Sequence, residues 1–120
     1  MVSTAIATRR ARLLIGGSWT EGSETYPVYD KFTGELIGHA DRASEAQVKI
    51  AVLASMQSFQ THKLDAYERY EILLKVADIL ERRREEIIEV IVAEAGFPVV
   101  DASNEVTRAA QTFILSAEEG

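Results

Sequence analysis

Apolar and polar positions follow two rhythms in this chain, and the change falls near Ser44. Before it, Leu13-Leu14-Ile15 runs into Gly16-Gly17, a turn signal, and then into Ser18-Trp19. Residues 20–24 are polar and contain Gly22, which reads as a loop. Tyr26-Pro27-Val28-Tyr29 is rich in β-formers, and Pro27, with no amide to donate, confines it to a strand start or an edge. In Phe32-Thr33-Gly34-Glu35, Gly34 stands where a hairpin needs positive φ, and Leu36-Ile37 returns as the partner strand. The pattern predicts a small antiparallel ribbon over residues 12–43, too thin to be stable alone. In a regular strand Tyr26 and Tyr29 face opposite sides, so only one of them turns inward.

After Ser44 the spacing is helical. Ser44-Glu45-Ala46-Gln47 is a capping box, and Val48, Ala51, Val52, Ser55 and Phe59 then share one stripe. Asp65-Ala66-Tyr67-Glu68 is a second capping box. Behind it Tyr70, Leu73, Leu74, Ala77, Leu80, Ile87, Ile88 and Ile91 keep helical spacing toward Ala95. Gly96 offers a left-handed cap there, and Pro98 ends that helix and opens the next. In the last helix Val99, Ala102, Val106, Ala109, Ala110, Phe113 and Ala117 form the apolar face, and no stop signal precedes Gly120. These elements predict an α+β fragment: a flexible tail over 1–11, the ribbon over 12–43 and a three-helix segment over 44–120. A sheet edge without a partner reads as part of a larger, truncated domain.

Composition narrows the chemistry. The 120 residues carry a formal charge of −6, which argues against a nucleic-acid surface. No apolar run is long enough to span a membrane, and the start lacks the apolar core of a secretory signal. Cysteine is absent, which removes disulfides, thiolate metal sites and any cysteine nucleophile at once. The 2 histidines, His39 and His62, are isolated and read as surface residues. Arg82-Arg83-Arg84 is flanked by Glu81, Glu85 and Glu86, so it reads as a solvated, ion-paired face. Gly16-Gly17 is a turn, since no phosphate-cradling glycine pattern accompanies it. Trp19 and the tyrosines read as packing aromatics, with Tyr67 and Tyr70 in the core. On the last helix Asp101, Glu105, Arg108 and Thr112 share the polar side, where Glu105 and Arg108 stand at i, i+3 and pair.

Two stretches, Leu14-Ile15-Gly16-Gly17-Ser18-Trp19 and Tyr26-Pro27-Val28-Tyr29-Asp30-Lys31-Phe32-Thr33-Gly34-Glu35, resemble the opening of the aldehyde dehydrogenase superfamily. There an x-I-x-G-x-W strand leads to N-P-x-T-G-E. The likeness continues through Glu68-Arg69, the helix around 73–80, Glu94-Ala95-Gly96-Phe97-Pro98 and Glu105-Val106, and so covers residues 13–120. Asp30-Lys31 stands where the family has Asn-Pro, and Phe97 where it has the lysine of G-K-P.

The resemblance implies part of a larger α/β enzyme that oxidises an aldehyde to an acid with NAD or NADP. The family's thiolate nucleophile, general-base glutamate, oxyanion asparagine and dinucleotide-binding residues lie further along than Gly120. The chain therefore carries no catalytic and no cofactor-binding residue, and is expected to be inactive alone. The resemblance also implies a structural monovalent-cation site made by Glu94 with the backbone carbonyls of Val28 and Tyr29. The family's counterpart of the last helix lines the substrate tunnel. Its Glu-Val-x-Arg is similar to members acting on small anionic aldehydes: lactaldehyde, sulfoacetaldehyde, phosphonoacetaldehyde and non-phosphorylating glyceraldehyde-3-phosphate dehydrogenases. That assigns substrate binding to Glu105 and Arg108, since a guanidinium grips carboxylate, sulfonate or phosphate through two parallel bonds. A cytoplasmic homo-oligomer acting on a small aldehyde, without nucleic-acid or membrane partners, completes the expectation. The rival is a self-standing helical interaction or oligomerisation module, whose apolar stripes meet a partner chain.

Overall fold

The computed structural model describes residues 9–119. They fall into two compact units that divide between Lys63 and Leu64.

The first unit holds five strands, β1 (Arg9–Ala11), β2 (Leu13–Ile15), β3 (Ser18–Thr20), β4 (Glu24–Tyr29) and β5 (Leu36–Arg42), and helix α1 (Glu45–Thr61). β2 and β3 pair Leu13 with Thr20, Leu14 with Trp19 and Ile15 with Ser18. Gly16 and Gly17 join them at φ 57° and 80°, the left-handed pair that matches the twist of a two-residue hairpin. β4 and β5 form the antiparallel hairpin that the sequence predicts, Gly34 taking φ 73°. Asp30 sets this turn: its Oδ1 accepts the amides of Phe32 and Thr33, each at 2.8 Å. Pro27 lies on the edge strand, as its missing amide requires. Tyr26 and Tyr29 are both exposed, so neither turns inward: residues on both faces of β4 are open, and a bulge falls between Val28 and Tyr29.

The ribbon is not purely antiparallel. β1 lies parallel along the other side of β5, giving a three-stranded sheet in the order β1-β5-β4, with β2-β3 as a separate hairpin. Gly38 admits the added strand, since a Cβ there would meet the Arg9 carbonyl oxygen at 2.7 Å. Asp41 pins it. Its carboxylate accepts Arg10 Nε at 2.7 Å, Arg10 Nη2 at 3.1 Å and the Gly22 amide at 2.7 Å. Of the stretch 1–11 expected as a tail, Arg9–Ala11 is therefore strand, and 1–8 lies outside the described residues. Gly120 lies outside them too.

The Ser44 capping box opens α1 as expected, Ser44 Oγ accepting the Gln47 amide and Gln47 Oε1 accepting the Ser44 amide. None of α1's residues is buried. Val48, Ala51, Val52, Ser55 and Met56 face β2 across an open apolar groove of about 470 Å³.

The second unit is helical: α2 (Ala66–Arg82), α3 (Arg84–Ala95) and α4 (Val99–Glu119). The chain thus has four helices among its described residues where the periodicity predicts three. Arg83, at φ −100° and ψ 17°, splits the expected long helix. No Pro or Gly marks the break. Its amide still reaches the Ile79 carbonyl and its carbonyl the Ile87 amide, each at 3.0 Å, so the interruption leaves few backbone groups without partners. The Asp65 capping box, the left-handed Gly96 at φ 72° and the opening of α4 at Pro98, whose carbonyl accepts the Ala102 amide, all match the sequence. The core is Ile88, Ala102 (0% exposed) and Val106 (2%), packed with Ile87, Ile91 and Val92. Tyr67 and Tyr70, expected inside, instead stack on the surface with ring centroids 6.1 Å apart.

Ile88→Ala should lower stability by about 2–5 kcal/mol, read as a drop in urea midpoint at unchanged slope. Acid should act through Asp41. The Arg10 guanidinium first, then the Gly22 amide, hold its carboxyl below the usual carboxylate range. A carboxyl whose folded value is depressed stabilises the fold above its unfolded value, near pH 4, and that contribution disappears as pH falls through the folded value. Asp30, lowered by the Thr33 and Phe32 amides, works in the same direction. A urea-midpoint titration from pH 7 to pH 3 should therefore fall more steeply for the native chain than for Asp41→Asn.

Candidate functional site

The exposed side of α4 carries the chemistry-bearing residues. Ala102, Val106, Ala110 and Ala117 recur on one stripe of this helix and are buried, so the opposite stripe is turned outward. On it Glu105 and Arg108, one turn apart, are joined: Glu105 Oε2 accepts from Arg108 Nη2. The Arg108 side chain remains 73% exposed, and Glu105 is partly covered. Thr112 lies a turn further on, its hydroxyl donating to the Arg108 carbonyl at 2.9 Å, and Asp101 is exposed near the start. Only Nη2 of the Arg108 fork is engaged by Glu105. The other donors stand free of any bonded partner among the described residues, available to an oxyanion of carboxylate, sulfonate or phosphate type. In solvent the Glu105–Arg108 pair contributes at most a few tenths of a kcal/mol, so displacing Glu105 by a bound anion costs little.

The structure thus brings Glu105 and Arg108 together. Glu94 lies in the last turn of α3, exposed, with no basic residue in that turn to offset the helix dipole. Val28 and Tyr29 flank the β4 bulge in the first unit, whereas Glu94 belongs to the second. Among the described residues no three His, Asp or Glu side chains gather into a metal-holding group. His39 and His62 are on the surface, as expected. No helix is long and apolar enough to cross a membrane among the described residues.

The arginine run divides. Arg82 pairs with Asp78 at 2.9 Å and Arg83 with Glu86 at 2.9 Å, both on the solvated face the sequence predicts. Arg84 departs from that reading. It is partly buried, and its guanidinium reaches across to Ser103 and Thr107 of α4. That contact and the Arg10–Asp41 clamp were invisible in the sequence, because their partners lie 19 and 31 residues away. The only available signal was that Ser103 and Thr107 stand at i, i+4 beside the buried stripe.

Residues 19–120 match the "Aldehyde dehydrogenase family". Among curated proteins the chain is similar to 3-sulfolactaldehyde dehydrogenase of Priestia aryabhattai, 36% identical over 107 residues that make up 89% of this chain and 22% of that protein. It is similar also to the non-phosphorylating aspartate-semialdehyde dehydrogenase of Halomonas elongata, 38% identical over 109 residues, 88% of this chain and 22% of that protein. Among solved structures, an NAD-dependent aldehyde dehydrogenase from Sinorhizobium meliloti superposes with a TM-score of 0.88 at 25% identity, over 98% of this chain and 25% of that one. Thermus thermophilus 1-pyrroline-5-carboxylate dehydrogenase does so with a TM-score of 0.90 at 28% identity, over 95% and 22%. The chain spans about a fifth of the length of the curated relatives it matches, 22% in both cases.

Proposed function

Because this chain belongs to the aldehyde dehydrogenase family, we propose that it forms the N-terminal part of a cytoplasmic, oligomeric enzyme that oxidises a small anionic aldehyde to a carboxylic acid with NAD or NADP. The observation that carries the reading is the family match over 19–120. Two relatives support the substrate class: their names, 3-sulfolactaldehyde and aspartate-semialdehyde dehydrogenase, denote aldehydes bearing a sulfonate and a carboxylate. Arg108 is the residue of this chain suited to that charge, with Glu105 holding it until substrate arrives. The residues here do not fit a dinucleotide, since no glycine-rich strand-to-helix turn is present, and cofactor binding is assigned to sequence outside these 120 residues. The same holds for the nucleophile, because the chain has no cysteine. Apolar side chains exposed on α1, among them Leu53, Met56 and Phe59, suit surfaces covered by further protein, either the rest of the enzyme or a second copy.

Two outcomes follow. The isolated 120-residue chain, supplied with aldehyde and NAD or NADP, should show no reduction of the nicotinamide, and turnover by it would overturn the assignment of the nucleophile. In the full-length enzyme, Arg108→Ala should raise KM for succinic semialdehyde about ten-fold while leaving KM for uncharged butanal unchanged. Equal effects on the two aldehydes would show that Arg108 does not read substrate charge.

A further inference from the structure

Arg84 begins α3, and its guanidinium crosses to α4. Nη2 donates to the Ser103 carbonyl at 2.9 Å, to Ser103 Oγ at 2.8 Å and to Thr107 Oγ1 at 2.7 Å. Nη1 is held by the Glu81 carboxylate at 3.2 Å, and the Thr107 hydroxyl donates to the Ser103 carbonyl at 3.1 Å. One nitrogen thus meets three acceptors spread over a full turn of the neighbouring helix. Such a network is directional, whereas the apolar contact beside it is not. The stripe that α4 buries is mainly alanine with one valine, side chains too short to interlock deeply and resist rotation. At 3.6 residues per turn, Ser103 lies about 140–160° around α4 from Glu105 and Arg108, and Thr107 about 160° from Glu105 and about 100° from Arg108. The network therefore grips α4 on the side away from its exposed stripe and touches none of the residues assigned to substrate.

We propose that Arg84 is a positioning residue for Arg108: by fixing the rotation of α4 about its own axis, it sets where the Arg108 guanidinium stands and thereby the enzyme's preference for anionic aldehydes. The proposal rests on the reading of α4 as a substrate-facing helix. Turning a helix by about 10° displaces a group about 6 Å from its axis by about 1 Å. A misplacement of that size can cost an enzyme as much as about 100-fold. A purely structural bolt would lower stability or impair all substrates alike. A positioning residue changes the selectivity, and only while Arg108 is present.

The test is steady-state kinetics of the full-length enzyme with succinic semialdehyde and butanal. Arg84→Ala should raise KM for succinic semialdehyde about ten-fold, with KM for butanal and both kcat values within about two-fold of the parent. Arg84→Lys, whose ammonium has three donors on a shorter arm, should recover most of the loss. Combining Ser103→Ala with Thr107→Val removes both hydroxyls and leaves Arg84 in place. It should reproduce the selective effect, and it keeps the idea testable if Arg84→Ala does not fold. In an Arg108→Ala background, removing Arg84 should leave the KM ratio of the two aldehydes unchanged. If Arg108→Ala itself does not alter that ratio, the substrate reading of α4 falls and takes this proposal with it. If Arg108→Ala alters the ratio but the Arg84 and Ser103/Thr107 variants do not, or do so equally without Arg108, the substrate reading stands and the proposal is overturned.

Discussion

Close approach of α4 to the two helices before it is the constraint on which the second unit depends. Ala102, Val106, Ala110 and Ala117 are small enough to let the helices come near, and Ile88 fills the space that remains. Burial of this kind is non-directional: it decides which face of α4 turns inward, but a stripe of short side chains resists small rotations only weakly. The finer rotation is supplied by polar groups at the rim of the contact, where Arg84 meets Ser103 and Thr107. A long, partly buried arginine has this advantage, because its stem packs on apolar surface while its planar head bonds to several acceptors. The interruption at Arg83 belongs with it, since the chain leaves helical geometry at the residue just before the bolt.

The first unit solves a different problem. A two-stranded ribbon has two open edges and little to bury. The addition of β1 makes β5 a central strand, but three residues of parallel pairing supply few backbone bonds. The Arg10–Asp41 pair adds what the ladder lacks. A carboxylate with no exposed side-chain surface accepts both a guanidinium and a backbone amide, so its charge is matched and its oxygens are occupied. The same group ties the β3–β4 loop to the sheet through Gly22.

Membership of the aldehyde dehydrogenase family gives these two constructions a common purpose. The chain has the fold of one quarter of its solved relatives, 25% in the Sinorhizobium meliloti enzyme. It is accordingly rich in surfaces and poor in reactive groups. What it can contribute is geometry: a helix whose outward stripe bears one arginine, balanced by a neighbouring glutamate and anchored from behind.

The sequence by itself determined the elements that depend on local chemistry. Both capping boxes, the Gly16-Gly17 and Gly34 turns, the Gly96 cap and the Pro98 start each follow from one or two residues acting on backbone within a turn of themselves. The family was legible for the same reason, because turn and cap residues recur at fixed spacing. The apolar stripe of α4 and the Glu105–Arg108 pair were legible too, being properties of a single helix. Tertiary structure decided what depends on residues far apart in the chain. β1 was unreadable because three residues carry no period, and their partners begin at Gly38. Nothing local to Arg83 divides α2 from α3, and nothing local to Arg84 distinguishes it from Arg82 and Arg83 as the arginine that turns inward. Those outcomes depend on where α4 comes to rest, and a one-dimensional pattern does not contain that position.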